Sequence, residues 1–420
     1  MADNPIPEEL KSDHLFLLIG GNPLPNWVAA RVLLREDGQV YLVHSKETNE
    51  VARRLAGVLI KQQYRPPIYV PVLDASSPHE VYRALEQQVK TIKSGQIGFN
   101  YTGGTKVMSV HGYFAIKDGR AQGPPAPIFS YLDALSLKMY FDDGREPIFV
   151  GLAPRASLTL KELLSFHEVV GMQNPKREPV APSVVEALKE LHGNEDRYLK
   201  WRKWIMELQN PSKKDLEKPK PKAEDRTLED LEKEFPTIAN ALLQNGPAEI
   251  TWKQLCQQRR DVWPFKSAGE LINWLEGEWM ESYVLAMLQK IATRYPRLLN
   301  NSGMDFKIEL KSSKGKFDFQ VDVAAMRGYQ LHFISCYSGH HKQNSKYKLF
   351  EAFTRAKQIG GDEAGAALIS MSEDPKSIEY DAAQVLQAEG RIKVYGRREL
   401  QDLERHLTDW FQTEIPSEYL

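Results

Sequence analysis

The residues best suited to chemistry fall first in two glycine loops. Gly20-Gly21-Asn22-Pro23-Leu24-Pro25-Asn26 follows one apolar run, and Asn100-Tyr101-Thr102-Gly103-Gly104-Thr105-Lys106 follows another. Glycine has no Cβ, so backbone N–H groups there can approach an anion closely. Thr102 and Thr105 add hydroxyl donors, and Lys106 adds a compensating charge. One GG pair usually makes only a tight strand-to-helix turn, but two such loops with a TGGTK run favour a phosphate-bearing ligand. A nicotinamide enzyme would show GxGxxG here and an acidic residue about 20 positions later. GGNPLPN does not fit that pattern.

The elements that must position these loops are legible as a change of period. HLFLLIG, VYLVHS, PIYVPVL and QIGFNYT read as buried strands. Between them lie helical patterns, with Val51, Leu55 and Val58 on one face and Val107, Val110 and Phe114 on another. Alternating β-α units of this kind build a parallel sheet covered on both faces, and ligands bind such sheets at the carboxyl ends of the strands. From Pro127 the pattern becomes antiparallel, with an Asp143-Gly144 turn. Residues 157 to about 208 read as helical, and the charged, proline-bearing stretch near 209–226 reads as a flexible linker or surface loop. Trp279, Tyr283 and Met287 form an apolar stripe that reads as core. FKIEL, FDFQVDV and YQLHFISCYS then alternate as strands, a helix carries Leu349, Phe353 and Ala356, and GAALISM and RIKVYG supply two more strands. The fold class expected is α/β: a Rossmann-like domain over 1–155, a helical connector over 156–245, and a second α/β domain over 246–420.

Bulk properties exclude several classes. Among 420 residues, 55 Lys and Arg balance 56 Asp and Glu for a formal charge of -1, so any attraction for nucleic acid must be local. The two cysteines, Cys256 and Cys336, lack a CxxC partner, which suits a reducing cytosol. The stretch MADNPIPEELKSD is acidic and holds no apolar run, and no run of 18 apolar residues occurs. Neither secretion nor membrane spanning is therefore expected, whereas a cytoplasmic location without membrane contact is.

LLIGGNPLPN, VYLVHSKET and NYTGGTKVMS together resemble the CRISPR-associated Rossmann fold (CARF) domain of type III CRISPR ancillary effectors, over about residues 13–155. The resemblance implies a sensor for cyclic oligoadenylate, a cyclic tetra- or hexa-adenylate ring. It places Gly21, Asn22 and Pro23, then His44, Ser45 and Lys46, then Thr102, Gly103, Gly104, Thr105 and Lys106 against that ligand. His44 reads equally as an ordinary polar strand end, and Lys46 as the start of a solvated helix face. A ring with a twofold axis suits two copies of one site, so a homodimer is expected.

GEWMESYV, FQVDVAAMRGYQLHFISCYSG and KLFEAFTRAKQIGG resemble the restriction-endonuclease-like PD-(D/E)xK half of CARF-linked nucleases, over about residues 270–365. That resemblance implies a divalent metal, Mg2+ or Mn2+, held by Glu281 and Asp322, with Asp318 and Gln320 on the face of Asp322. Where such nucleases carry ExK, this chain reads Ser335-Cys336-Tyr337, which lacks both the carboxylate and the lysine. Lys348, taken as the third catalytic candidate, or Glu351 could reach the site from the following helix; His340 and His341 are a weaker alternative. Lys307, Lys311, Lys314 and Lys316, with Lys342, Lys346 and Lys348, form either a phosphate-binding patch or a solvated charged face. Two functions therefore stand: a ligand-gated, metal-dependent nuclease acting on DNA or RNA, and a catalytically inactive sensor that binds nucleic acid or a protein partner. An unrelated Rossmann enzyme on a soluble nucleotide is disfavoured by the absent GxGxxG.

Overall fold

The structure, a computed structural model, describes residues 4–119, 125–209, 223–312 and 315–419. Residues 210–222, the bulk of the stretch read as a linker, and Lys314 lie outside these.

Apolar runs and amphipathic helices alternate through the first domain as β1 (Ser12–Leu18), α1 (Leu24–Leu33), β2 (Leu34–His44), α2 (Asn49–Lys61), β3 (Ile68–Pro71), α3 (Pro78–Lys90), β4 (Ile97–Asn100) and α4 (Lys106–Gly119). β5 (Ile128–Asp133), β6 (Lys138–Phe141) and β7 (Ile148–Phe149) complete a seven-stranded sheet of order β3-β2-β1-β4-β5-β6-β7. β1 to β5 are parallel, and β6 and β7 run antiparallel. β1 lies between β2 and β4, so the winding reverses between β1 and β4, and a crevice opens there at the carboxyl ends. Both glycine loops follow these two strands. One helix departs from expectation: Met108, Gly112, Ala115 and Ile116 face the core, while Val110 and Phe114 are 50% and 49% exposed. The small residues pack down on the sheet because Gly112 sits closely over Phe99, which turns the Val110–Phe114 ridge outward.

The middle segment holds α5 (Leu160–Leu164), β8 (Val169–Met172), α6 (Pro182–His192), α7 (Glu195–Gln209), α8 (Glu229–Glu234), α9 (Pro236–Leu243), α10 (Trp252–Gln258) and α11 (Ala268–Asn273). Within 157–208, expected to be helical throughout, β8 instead pairs antiparallel with a strand of the second sheet. Four residues broken by Gly171 are too few to show a period.

The second sheet has the order β13-β12-β11-β10-β9-β8. After α12 (Trp279–Arg294) come β9 (Asn301–Ser312), β10 (Gly315–Arg327), β11 (Gln330–Tyr337), α13 (Lys342–Gly360), β12 (Gly365–Ser370), α14 (Pro375–Leu386), β13 (Ile392–Tyr395) and α15 (Leu403–Gln412). Trp279, Tyr283 and Met287 are buried, as are Leu349, Phe353 and Ala356. β10 pairs with β9 along most of its length but with β11 only from Val323 to Arg327. Ahead of Val323 the two strands part and leave a fork. The halves of the chain pack on each other: Leu158 N–H donates to Gly328 O (3.1 Å), and Arg54 reaches Phe166 O and the Glu168 carboxylate, each at 3.0 Å. No helix among the described residues is long and apolar enough to cross a membrane.

Candidate functional site

At the first sheet's rim the two glycine loops touch. A Cβ at Gly103 would overlap the Leu18 carbonyl, and one at Gly20 would press on Gly104 N at 3.3 Å. Gly104 has φ +77°, a conformation costly for side chains with a Cβ. Both loops therefore need glycine to lie against one another, and backbone N–H groups crowd into a small area. Gly21, Gly104, Thr105 and Lys106 are exposed there, and Lys106 has no ion-pair partner among the described residues. Lys46 is exposed as well.

Other expected ligand residues are engaged within the fold. Thr102 Oγ1 donates to Asn100 Oδ1 (2.8 Å) and accepts from Leu132 N–H (2.7 Å). Thr105 Oγ1 accepts from Met108 N–H (3.2 Å) in the first turn of α4. His44 is buried with Nδ1 against Ser45 O (3.0 Å), and Ser45 Oγ donates to Glu47 (2.7 Å). Pro23 is buried at the start of α1. Asn22 Oδ1 accepts from Leu24 N–H (3.1 Å), while its amide lies so near Gly361 that a Cβ on that glycine would overlap it. Asn22 thus joins the rim to the turn that ends α13.

The effector site forms at the fork of β10 and β11. Asp322 Oδ2 accepts from Ser335 Oγ and from Cys336 N–H, both at 2.8 Å, which leaves Oδ1 without a hydrogen-bond partner among the described residues. That cavity, about 290 Å³, is lined by Gln320, Asp322, Ser335, Lys348, Glu351 and Arg355, with apolar walls. Helix α13 therefore brings Lys348 and Glu351, one turn apart, beside Asp322, where the strand-borne carboxylate and lysine are missing. Neither side chain has a hydrogen-bond or ion-pair partner among the described residues, whereas Arg355 lies over Phe319 at 4.8 Å. Tyr337 turns away, its hydroxyl accepting from Asn344 Nδ2 (3.1 Å).

Glu281 opens into a neighbouring cavity of about 230 Å³ with Glu278, Asp305 and Lys176. The helix that carries it begins with a π-helical turn, Trp274–Glu278, between α11 and α12, a feature that apolar periodicity does not reveal. Burial, then the charges of Asp322, Asp305 and Glu278, push the Glu281 carboxyl up to about 9. Such mutual repulsion is the setting a cation relieves. Among the described residues no three His, Cys, Asp or Glu side chains gather closely enough to cage a metal. Asp322 lines the fork cavity and Glu281 its neighbour, close enough for the Asp322 charge to raise the Glu281 carboxyl, and a pair of carboxylates is a donor set through which Mg2+ binds while keeping much of its water. Gln320 Nε2 donates to Asp305 Oδ1 (2.7 Å), and Asp318 pairs loosely with Lys307 (3.9 Å) outside the cavity. His340 and His341 rest against each other with their rings tilted by 32°, and His340 Nδ1 lies against Tyr198 Oη (3.3 Å). The expected basic patch is largely paired: Lys316 with Glu309, and Lys342 and Lys346 with Asp381.

Residues 269–414 match the family model described as Card1-like, endonuclease domain. No curated protein sequence matches the chain significantly. Among solved structures, protein VC1899 from Vibrio cholerae superposes with a TM-score of 0.69 at 15% identity, over 96% of this chain and 99% of that one. Can2 from Sulfobacillus thermosulfidooxidans, solved in complex with cyclic tetra-adenylate, superposes with a TM-score of 0.65 at 17% identity, over 95% and 99%. The C-terminal part of this chain thus matches the Card1-like endonuclease domain, and the chain as a whole shares the fold of Can2 and VC1899.

Proposed function

We propose that this protein is a cyclic-oligoadenylate-sensing effector of type III CRISPR antiviral defence, in the cytoplasm, whose C-terminal domain cuts nucleic acid when the sensor is occupied. The observation that carries the reading is the convergence of Asp322 with Lys348 and Glu351 in the fork cavity of a domain that matches an endonuclease family. The touching glycine loops, and the likeness to a protein solved with cyclic tetra-adenylate, support the sensor half. Gly21, Gly103 and Gly104 offer backbone N–H groups to ring phosphates, and Lys106 and Lys46 add charge. The exposed Val110–Phe114 ridge rises from the helix that starts at Lys106, so a second copy docked on that ridge would set two sensor loops side by side for a twofold ring.

A divalent cation held by Asp322 and Glu281 would polarise the scissile phosphate and supply an activated water. Ser335 and the Cys336 amide hold the Asp322 carboxylate in one orientation, and Lys348 places a positive charge where negative charge develops on the phosphate. The replacement of ExK by Ser335-Cys336-Tyr337 favours a second reading, a sensor that binds nucleic acid or a partner without cutting. Incubation with plasmid DNA and with RNA, in Mg2+ or Mn2+, with cyclic tetra- or hexa-adenylate in turn, decides between them. Cleavage only with a ring supports the first; ring binding without cleavage supports the second, and no ring binding removes both.

A further inference from the structure

We propose that the cavity between α10 and α11 holds the sugar-phosphate backbone of a nucleic acid single strand and leads it to the effector carboxylates. The proposal rests on the nuclease reading for what the strand is delivered to, but binding at this surface is a separate claim. The cavity, about 560 Å³, is bordered by Lys253, Arg260 and Lys266 against one carboxylate, Glu224. All three cations are exposed, and among the described residues none has an ion-pair partner, unlike the lysines around β9 and the start of α13. Desolvated carboxylates do not explain their placement; an external polyanion does.

Continuity gives the surface its direction. Pro264 and Phe265 wall both this cavity and the adjoining one that holds Glu278, Glu281 and Asp305. The cationic cavity therefore borders the acidic one across a shared wall, with the Phe265 ring between three cations that have no ion-pair partner among the described residues and the carboxylates. Phe265 is partly exposed and is braced by Trp274 at 5.3 Å and Trp263 at 6.1 Å. A braced, half-open aromatic ring beside a cationic groove is the combination by which proteins hold single strands without reading sequence, phosphates on the cations and a base on the ring. The ring favours a single strand over a duplex, whose bases are already stacked, and an acidic protein segment would not need the ring.

The test is fluorescence anisotropy of the full-length protein with labelled single-stranded DNA and RNA oligonucleotides, in EDTA, over a range of salt, with and without cyclic tetra-adenylate. Wild-type affinity is expected to fall with salt. The combined Lys253→Gln, Arg260→Gln and Lys266→Gln variant should bind at least about tenfold more weakly at low salt, with the log–log salt slope reduced by about 2, since each single-strand phosphate contact contributes roughly 0.7. Phe265→Ala should weaken binding without changing the slope. Because the three cations are exposed and unpaired, thermal melting of the combined variant should match wild type. An unchanged affinity and slope in that variant would overturn the proposal while leaving any cleavage activity standing, as would no binding of either oligonucleotide by wild type. Binding lost in the variant, with no cleavage by wild type under any condition, would keep this surface and remove the nuclease reading instead.

Discussion

The sensor rim and the effector fork occupy comparable places, each where neighbouring strands of a sheet leave an opening, yet they are built from different material. The rim is made of backbone: a Cβ at Gly103 would overlap the Leu18 carbonyl, one at Gly104 would crowd the Leu18 side chain, and one at Gly20 would press on Gly104 N. The fork is made of side chains, and these come from three elements, Asp322 from β10, Ser335 from β11, and Lys348 with Glu351 from α13. A backbone site is intolerant of change chiefly at its glycines and their supports. A side-chain site can shift a charge from strand to helix, provided the charge still reaches the same cavity.

Asp322→Ala sets the two regions furthest apart. Ligand-dependent cleavage should fall by on the order of 100-fold or more, since a metal-directed carboxylate is lost, while calorimetry with cyclic tetra-adenylate gives unchanged heat; equal cleavage would break the fork assignment. Next in size is Gly103→Ala, whose Cβ meets the Leu18 carbonyl. Ring binding should disappear in calorimetry, with a stability loss of roughly 1–3 kcal/mol from overpacking. Intact binding would show that the loops do not need their close approach.

The seam between the regions is tested through Glu363, which lies two residues past the Gly361 that abuts Asn22. Both its carboxylate oxygens are buried without a hydrogen-bond partner, and burial pushes its carboxyl up to about 8. The folded protein therefore binds this proton more tightly than the unfolded chain, and stability falls as pH rises from about 4.5 toward 8. Glu363→Gln should melt higher than wild type at pH 7, by up to ~3 kcal/mol at about 1.4 kcal/mol per pH unit, and the difference should vanish near pH 4.5. A pH-independent difference would mean that the carboxyl does not titrate in this range. Lys348→Ala comes next: cleavage should fall, as the loss of a charge facing the developing negative charge implies, with ring affinity unchanged. The paired change Ser335→Glu and Tyr337→Lys should raise cleavage if the helix only partly replaces the strand groups. The smallest effect is expected from Val110→Glu with Phe114→Glu: light scattering should show weaker self-association, with the monomer's melting temperature near wild type because both residues are half exposed.

Much of the fold was legible because its signals are local. Buried strands read as continuous apolar runs, and Val51, Leu55 and Val58 face the core as their spacing implies. Spacing failed in part at α4, where Val107 packs against the core as its period implies but Val110 and Phe114 turn outward, because the tight seat of Gly112 on Phe99 selects a different inward face. It failed at β8, whose place in the second sheet depends on pairing with a strand more than a hundred residues away. The loops announced themselves through glycine, yet the engagement of Thr102, Thr105, His44 and Ser45 within the fold has no sequence signature.

By itself, the order of residues determined that two glycine turns end two strands of one sheet, that a second α/β domain follows, and that its ExK position is vacant of both expected groups. Only tertiary structure decided that Lys348 and Glu351 stand beside Asp322, that Glu281 opens into a separate acidic cavity, and that Asn22 meets Gly361 across the seam. Local chemistry is written in neighbouring letters, whereas convergence depends on how strands part and helices pack, and those distances arise between residues far apart in the chain.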